Sequence, residues 1–264
     1  MGAAFCQVDL YDYPHYYDVI FDDGSAEEAN FLEGILKAHG PRKGNRVLEP
    51  ACGTGRLLIE LGKRGFQAHG FDASRPMLDY ARQRASEEGV RLRLTQQRME
   101  DFRMASTVTL AFSLISSFKY LLTESQAVAH LQGVARALTT DGVFVLGLHL
   151  TDYERSRPVH ERWVVARDGL EIVCNTRTWP ADRRRRRERV RNRLTVKGAD
   201  GLQCRHETSW EFRTYSATQL RRLLRRVPEL EQISAYDFSY SLDHPRALDD
   251  SQEDIVLILR KRSS

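Results

Sequence analysis

The sequence has few cysteines, few lysines and no long apolar run. Its four cysteines, Cys6, Cys52, Cys174 and Cys204, share no C-x-x-C or other metal-ligand spacing. That excludes a disulfide framework and gives no reason to expect a metal centre. No stretch approaches the ~18 consecutive apolar residues of a membrane span, so none of it is expected to cross a bilayer. The opening Met1-Gly2-Ala3-Ala4-Phe5-Cys6 lacks the basic-then-apolar layout of a secretory signal and the hydroxyl residue of a myristoylation motif. A cytoplasmic protein with reduced thiols is the expectation. Of 40 basic residues six are lysine and 34 arginine, set against 36 acidic residues. A formal charge of +4 spread over so many charges of both signs does not by itself make a polyanion-binding surface, and nucleic acid is disfavoured as a partner.

What is present is the periodicity of an α/β protein. The 264 residues suffice for one large domain carrying a sizeable insertion. After an aromatic segment, Tyr11-Asp12-Tyr13-Pro14-His15-Tyr16-Tyr17-Asp18, a capping box Ser25-Ala26-Glu27-Glu28 opens a helix through Ala38. Residues 46–49 read as a buried strand, followed by a helix carrying Leu57, Leu58 and Leu61. Strands at 67–72, 90–95, 108–114 and 143–149 alternate with helices opened by Ser74 and Thr123. Strand and helix in this alternation make a mostly parallel sheet covered on both faces. From 151 to 215 the pattern changes to alternating runs at 162–166, 170–178, 189–196 and 203–212, separated by Asp168-Gly169, an arginine run at 183–187 and Asp200-Gly201. Asp-Gly between alternating runs signals hairpins, so this part is expected to be an inserted antiparallel meander. A helix capped by Ser216 and carrying Leu220, Leu223, Leu224 and Val227, then strands at 233–238 and 254–259, complete the first pattern. The expected organisation is thus a core with an N-terminal lid over 1–150, a β lid over 151–215, and completion of the core over 216–264.

The chemistry is carried by Val47-Leu48-Glu49-Pro50-Ala51-Cys52-Gly53-Thr54-Gly55, a strand that runs into a turn of small residues before the next helix. Such a turn lets backbone N–H groups approach a polar ligand. A dinucleotide fingerprint would place a third glycine where Leu58 stands, so a pyrophosphate is disfavoured. Asp72, at the end of the next strand, is placed to accept the two hydroxyls of a ribose. A nucleoside lacking a pyrophosphate satisfies both observations.

Residues 47–55, followed by Gly70-Phe71-Asp72-Ala73-Ser74-Arg75-Pro76-Met77-Leu78, resemble the first two motifs of the class I S-adenosylmethionine (SAM)-dependent methyltransferases. Gln97-Arg98-Met99-Glu100-Asp101-Phe102 is similar to the adenine-lining segment of that family, residues 112–121 to the segment after its fourth strand, and residues 11–21 to its aromatic leader. The resemblance implies a Rossmann-like seven-stranded, mostly parallel sheet with helices on both faces, and SAM as cofactor with S-adenosylhomocysteine as product. It implies that Gly53 and Gly55 border the methionine moiety, that Glu49 organises its amino end, and that Asp72 holds the ribose. Met99 would cover the adenine and Tyr17 would close the pocket. Ala51, Cys52, Thr54, Ala73, Met77, Arg98, Glu100, Ser113 and Leu114 complete the implied cofactor set. Two positions depart from the family pattern, which commonly has an acid where Arg98 stands and another where Gly147 stands.

The expected reaction is in-line displacement, which needs positioning and exclusion of water more than strong acid–base chemistry. His149 and Tyr120 lie at the carboxyl ends of their strands, where open α/β sheets bind ligands, and are the candidates for acceptor contact. The insert, with Trp163, Trp179 and Trp210, is expected to roof the acceptor pocket, whereas the arginine run reads as a solvated hairpin tip. Methyl transfer to N or O of a small molecule is therefore the leading reading. The alternatives are an RNA or protein methyltransferase and a non-catalytic SAM-binding protein.

Overall fold

The computed structural model describes residues 4–262; Met1 to Ala3, part of the opening read above for targeting signals, lie outside the described residues. The chain begins with β1 (Cys6–Gln7), a short 3-10 turn at Leu10–Asp12, α1 (Pro14–Phe21) and α2 (Ser25–His39). There follow β2 (Arg46–Pro50), α3 (Arg56–Lys63), β3 (Gln67–Asp72), α4 (Arg75–Glu87), β4 (Leu92–Gln96) and β5 (Val108–Ser113). A second 3-10 turn (Ser117–Tyr120), α5 (Glu124–Ala137) and β6 (Leu138–His149) lead into four long strands. These are β7 (Val159–Arg167), β8 (Leu170–Thr178), β9 (Arg187–Lys197) and β10 (Gln203–Arg213), after which α6 (Ala217–Leu224), β11 (Leu230–Tyr236) and β12 (Asp254–Lys261) close the fold.

The main sheet has seven strands in the order β11-β12-β6-β5-β2-β3-β4. β12 is antiparallel to both its neighbours, while β6, β5, β2, β3 and β4 pair in parallel. Apolar clusters on its two faces, around Phe144 and Leu257 on one side and Leu58 and Phe112 on the other, are closed to solvent. At roughly 1.5–3 kcal/mol for each large side chain, this burial is the dominant favourable contribution to folding. Strand order reverses between β2 and β5, since the chain runs outward through β3 and β4 and then returns to the other side of β2. The crevice at the carboxyl ends of β2 and β5 is therefore the place for a ligand. No helix among the described residues is long and apolar enough to cross a membrane.

The second sheet has the order β1-β10-β9-β8-β7, with β7 to β10 forming an antiparallel meander. β1 adds in parallel to β10, so the N-terminal segment is stitched to the insert as well as to the core. Asp168 and Gly169 both take positive φ, 55° and 75°, as a two-residue hairpin of matching twist requires. One face of this sheet packs Ile172, Cys174, Leu194 and Val196 against Val19 and Ile20 of α1. Asp18 of α1, buried, is bound by Arg84 of α4 and Arg167 of β7 at once, which clamps α1 between the two sheets.

Several local expectations need correction. The helix at 25–39 has no capping box; its N-cap is Gly24 at φ 80°, and Glu28 instead pairs with Arg56 at 2.6 Å. The buried guanidinium outcompetes the backbone N–H for that carboxylate because charge-assisted contacts are the stronger ones. α6 ends at Leu224, so Val227 is buried in the turn beyond the helix. The aromatic segment spans the 3-10 turn at Leu10–Asp12 and the first part of α1, which has Pro14 in its first turn. The arginine run is only partly a solvated tip: Arg183, Arg184 and Arg185 are exposed, whereas Arg186 donates to the Thr214 carbonyl at 2.9 Å and lies over the Tyr215 ring.

Candidate active site

β2 delivers the chain to the turn at its carboxyl end, where Ala51, Gly53 and Gly55 all take positive φ (53°, 51° and 71°). A side chain at Gly55 would be strained at this φ and would crowd the Ala81 methyl, 3.2 Å from where a Cβ would stand. The cost of Ala51 in the left-handed region is of the kind that concentrates at functional sites. Gly53 N–H donates to Asp72 Oδ2 at 2.9 Å, and Ser74 N–H donates to Asp72 Oδ1 at 2.8 Å. Asp72 is thus fixed at the end of β3 facing the turn. Burial raises its pKa, opposed by these backbone donors. Glu49, one strand end away, is pushed well above the usual carboxylate range by burial, opposed by the nearby Arg56 guanidinium. One of its oxygens, Oε2, is buried without a partner among the described residues. An unpaired buried carboxylate oxygen is costly unless a ligand supplies the donor.

Tyrosines cover this edge. The Tyr17 ring lies beside Gly53, 3.8 Å from where a Cβ would stand, and burial pushes its pKa up to about 12. Tyr11 donates to the Tyr120 hydroxyl at 2.7 Å, and its own carbonyl accepts from Ser74 Oγ at 3.3 Å. Burial raises Tyr120 as well, so these phenols stay protonated at neutral pH. On the flank, the fully buried His130 meets the Met99 carbonyl through Nδ1 at 3.0 Å, and burial lowers its pKa to about 4.

A cavity of about 1470 Å³ separates the carboxyl edge of the main sheet from the inner face of the second sheet. Tyr17, Tyr120 and His149 line it. His149 is open to the cavity on one side and packs edge-on against Phe238 on the other, 4.9 Å between ring centres. Desolvation lowers its pKa, helped by Lys119 and opposed by Asp254, Glu188 and Glu161. It is therefore a neutral imidazole at pH 7, able to accept a proton. Phe238 also explains Gly147: a Cβ there would meet that ring at 3.2 Å and the Leu114 backbone at 3.4 Å. The space in which the family commonly has an acid is filled by an aromatic ring.

The other residues picked from sequence fall in three places. Cys52, Thr54 and Met77 are buried within the packing of the turn and α4, and the Cys52 thiol lies over Gly70, 2.8 Å from where a Cβ would stand. Ser113 and Leu114 are buried at the end of β5, with Ser113 Oγ unpartnered among the described residues. Ala73 is exposed, its carbonyl accepting from Gln96. Arg98 is exposed too and pairs with Glu100 at 2.8 Å. Trp163 and Trp210 line the cavity. Trp179 does not; it sits on the opposite face beneath Arg177, Arg189 and Arg191.

Sequence reasoning missed three features. Lys119, almost wholly buried, makes a 2.5 Å ion pair with Glu188 of β9 and so ties the core to the insert across the cavity wall. Ile115 and Ser116 both take positive φ (55° and 63°) where β5 ends, and for a β-branched residue that conformation is strained. Asn192, on the inner face of β9, is buried with an unpartnered Oδ1. Only the last had a visible signal: in β9 the arginines at 187, 189, 191 and 193 alternate with Glu188, Val190, Asn192 and Leu194, and period two places the second set on one face.

Comparison with known proteins agrees with this geometry. The sequence model of a methyltransferase domain matches residues 47–142, which run from the start of the turn motif into β6. The chain is 27% identical to a protein of Geobacillus sp. (strain WCH70) named as a methyltransferase, over 80% of this chain and 85% of the relative. It is 29% identical to the dTDP-3-amino-3,4,6-trideoxy-alpha-D-glucopyranose N,N-dimethyltransferase of Streptomyces venezuelae, over 51% of this chain and 56% of that one. Among solved structures, the sugar N-methyltransferase KedS8 from Streptoalloteichus sp. superposes with a TM-score of 0.75 at 18% identity, covering 100% of this chain and 96% of that one. With a methyltransferase domain matched over residues 47–142, a relative named as a methyltransferase along most of the chain and a fold shared with solved methyltransferases, the chain is a SAM-dependent methyltransferase.

Proposed function

We propose that the enzyme methylates an amine nitrogen of a small molecule held in the cavity between the two sheets. The observation that carries this is His149: a neutral imidazole, open to the cavity at the end of β6, with the Glu161 carboxylate near enough to act on it electrostatically and Glu188 already paired with Lys119. An amine arrives at neutral pH as an ammonium, which Glu161 attracts, and an imidazole nitrogen of His149 takes the proton that frees the lone pair. When bound, SAM would supply a sulfonium methyl whose carbon the lone pair attacks in line, with the thioether of S-adenosylhomocysteine as leaving group. The chain's own work is to bind, orient and dry the site. Glu49, with its unpartnered oxygen, would hold the ammonium of the methionine end. Asp72 would hold the ribose, and the backbone of 51–55 would lie along the donor. Tyr11, Tyr17 and Tyr120 would exclude water, and the insert over 151–215 would act as the roof. The named activity of the Streptomyces venezuelae relative, on a sugar amine, supports nitrogen over oxygen.

The test is incorporation of label from SAM into a panel of small amines and matched alcohols. Label in amines is the expected result, and label in alcohols alone would overturn the choice of nitrogen. His149→Ala should lower kcat by about 10²-fold with the affinity for S-adenosylhomocysteine unchanged. Because the pKa of His149 is lowered in the free protein, the acid limb of the kcat/KM profile should lie below the ordinary imidazole range and vanish in the variant.

A further inference from the structure

The inner face of the second sheet is not uniformly apolar. Strand register places Glu161, Thr176, Asn192 and Thr208 opposite one another, one from each of β7 to β10. This polar row lies between two rows in which apolar side chains predominate, Trp163, Cys174, Leu194 and His206 on one side and Val159, Thr178, Val190 and Trp210 on the other. All four members of the polar row line the cavity. Thr208 is already engaged, its hydroxyl donating to the Val8 carbonyl at 2.9 Å. Asn192 is not: it is 3% exposed, and its Oδ1 has no hydrogen-bond partner among the described residues.

An amide oxygen withdrawn from water and left unpaired destabilises the free protein, and native structures keep few such groups without a reason. Among the described residues no group supplies the donor. The cavity wall to which Asn192 belongs also carries the Glu161 carboxylate and the Thr176 hydroxyl, with Trp163 and Trp210 in the adjoining rows. Hydrogen-bonding groups between aromatic faces suit a ligand with hydroxyls on its edge and C–H groups on its faces.

We propose that this row is an acceptor subsite for hydroxyl groups, with Asn192 as its specificity-determining residue: the acceptor donates an O–H to Asn192 Oδ1 on the insert while its amine faces His149 on the core. The proposal rests on the cavity being the acceptor pocket. It makes the orphaned oxygen a binding group kept at a cost in stability, so Asn192→Leu should raise the melting temperature while weakening the ligand, a pairing that a merely structural asparagine would not produce.

The experiment uses the full chain loaded with S-adenosylhomocysteine and three probes: glucosamine, cyclohexylamine, which keeps the amine but lacks hydroxyls, and methyl α-D-glucopyranoside, which keeps hydroxyls but lacks the amine. Calorimetry should show glucosamine binding at least about tenfold tighter than cyclohexylamine, the scale of one or two net hydrogen bonds. Asn192→Leu should erase that advantage and leave the affinities for cyclohexylamine and S-adenosylhomocysteine unchanged. Asn192→Asp, which keeps an oxygen in place, should retain the advantage, and Asn192→Ala serves in place of the leucine variant should that one fold poorly. An equal affinity of the wild type for the two amines, an advantage that survives the leucine or alanine variant, or no binding of any probe would overturn the proposal. Turnover with labelled SAM separates the two readings. Amine labelling indifferent to Asn192 and to hydroxyls sinks the subsite alone. Binding of the glucoside that depends on Asn192, with no amine labelled, sinks amine methylation and leaves the subsite standing.

Discussion

At the carboxyl edge of the parallel sheet the polar groups facing the cavity and its rim come from one local turn and two strand ends; across the cavity they come from four different strands. On the first side, Gly53 N–H, Ser74 N–H and Asp72 form a closed set within 22 residues, held by hydrogen bonds of 2.8 and 2.9 Å. On the second side, Glu161 and Asn192 are 31 residues apart and share one row, with Thr176 between them, only because β7, β8 and β9 pair in one register. Backbone donors in a tight turn have few alternatives. Side chains on a pleated face are free to vary without changing the fold, so in the function proposed above the turn would hold the one cofactor and the insert would discriminate among acceptors.

The junction of the two regions should give the largest effect. Lys119→Met removes one partner of the buried pair with Glu188 and leaves a carboxylate uncompensated, so stability in chemical denaturation should fall by about 3–5 kcal/mol. Adding Glu188→Leu should recover most of that loss. A small cost for the single variant would mean that the sheets are held together elsewhere, at the Asp18 clamp. Next comes pH. His130 has an ordinary value of 6.5 and a folded value of about 4. Above 6.5 neither state is protonated and the contribution is complete. As pH falls from 6.5 to 4 the unfolded state gains a proton that the folded state refuses, which costs roughly 3 kcal/mol. Denaturation midpoints across that window should show the slope, and His130→Gln, which keeps a donor for the Met99 carbonyl, should flatten it.

Asp72→Ala sharpens the contrast between the two sides: calorimetry with S-adenosylhomocysteine should show a loss of ~1.5–3 kcal/mol, the scale of a charge-assisted hydrogen bond. The acceptor constant should hold. A reversed outcome would place the carboxylate on the acceptor side. The smallest effect is expected from replacing Arg183, Arg184 and Arg185 with serine. They are exposed, and the one docking contact among them, Arg183 with Glu154 at 3.0 Å and over the Tyr153 ring, lies at the surface, so stability should stay within ~0.5 kcal/mol and donor affinity should not move.

The contrast also explains what could be read in advance. The strand running into Gly53 and Gly55, the missing third glycine at Leu58 and the carboxylate at Asp72 lie close in sequence and constrain one another, so donor chemistry was legible. Asp168-Gly169 announced its hairpin because only certain residues tolerate two successive positive φ values. The capping box at 25–28 misled because the competing partner of Glu28, Arg56, is 28 residues away. Lys119 carried no signal at all: a single lysine in Ser117-Phe118-Lys119-Tyr120 looks solvated until β9 brings Glu188 to it.

By itself, then, the sequence determined the class of fold, the family and the cofactor, because periodicity and turn chemistry act over a few residues and leave a local trace. Tertiary structure alone decided the rest. It set Phe238 into the space beside Gly147, brought Tyr11 onto Tyr120 and left Asn192 Oδ1 without a partner. Each of these depends on which distant surfaces meet when the second sheet folds over the first, and side-chain packing at that range follows from the whole chain rather than from any stretch of it.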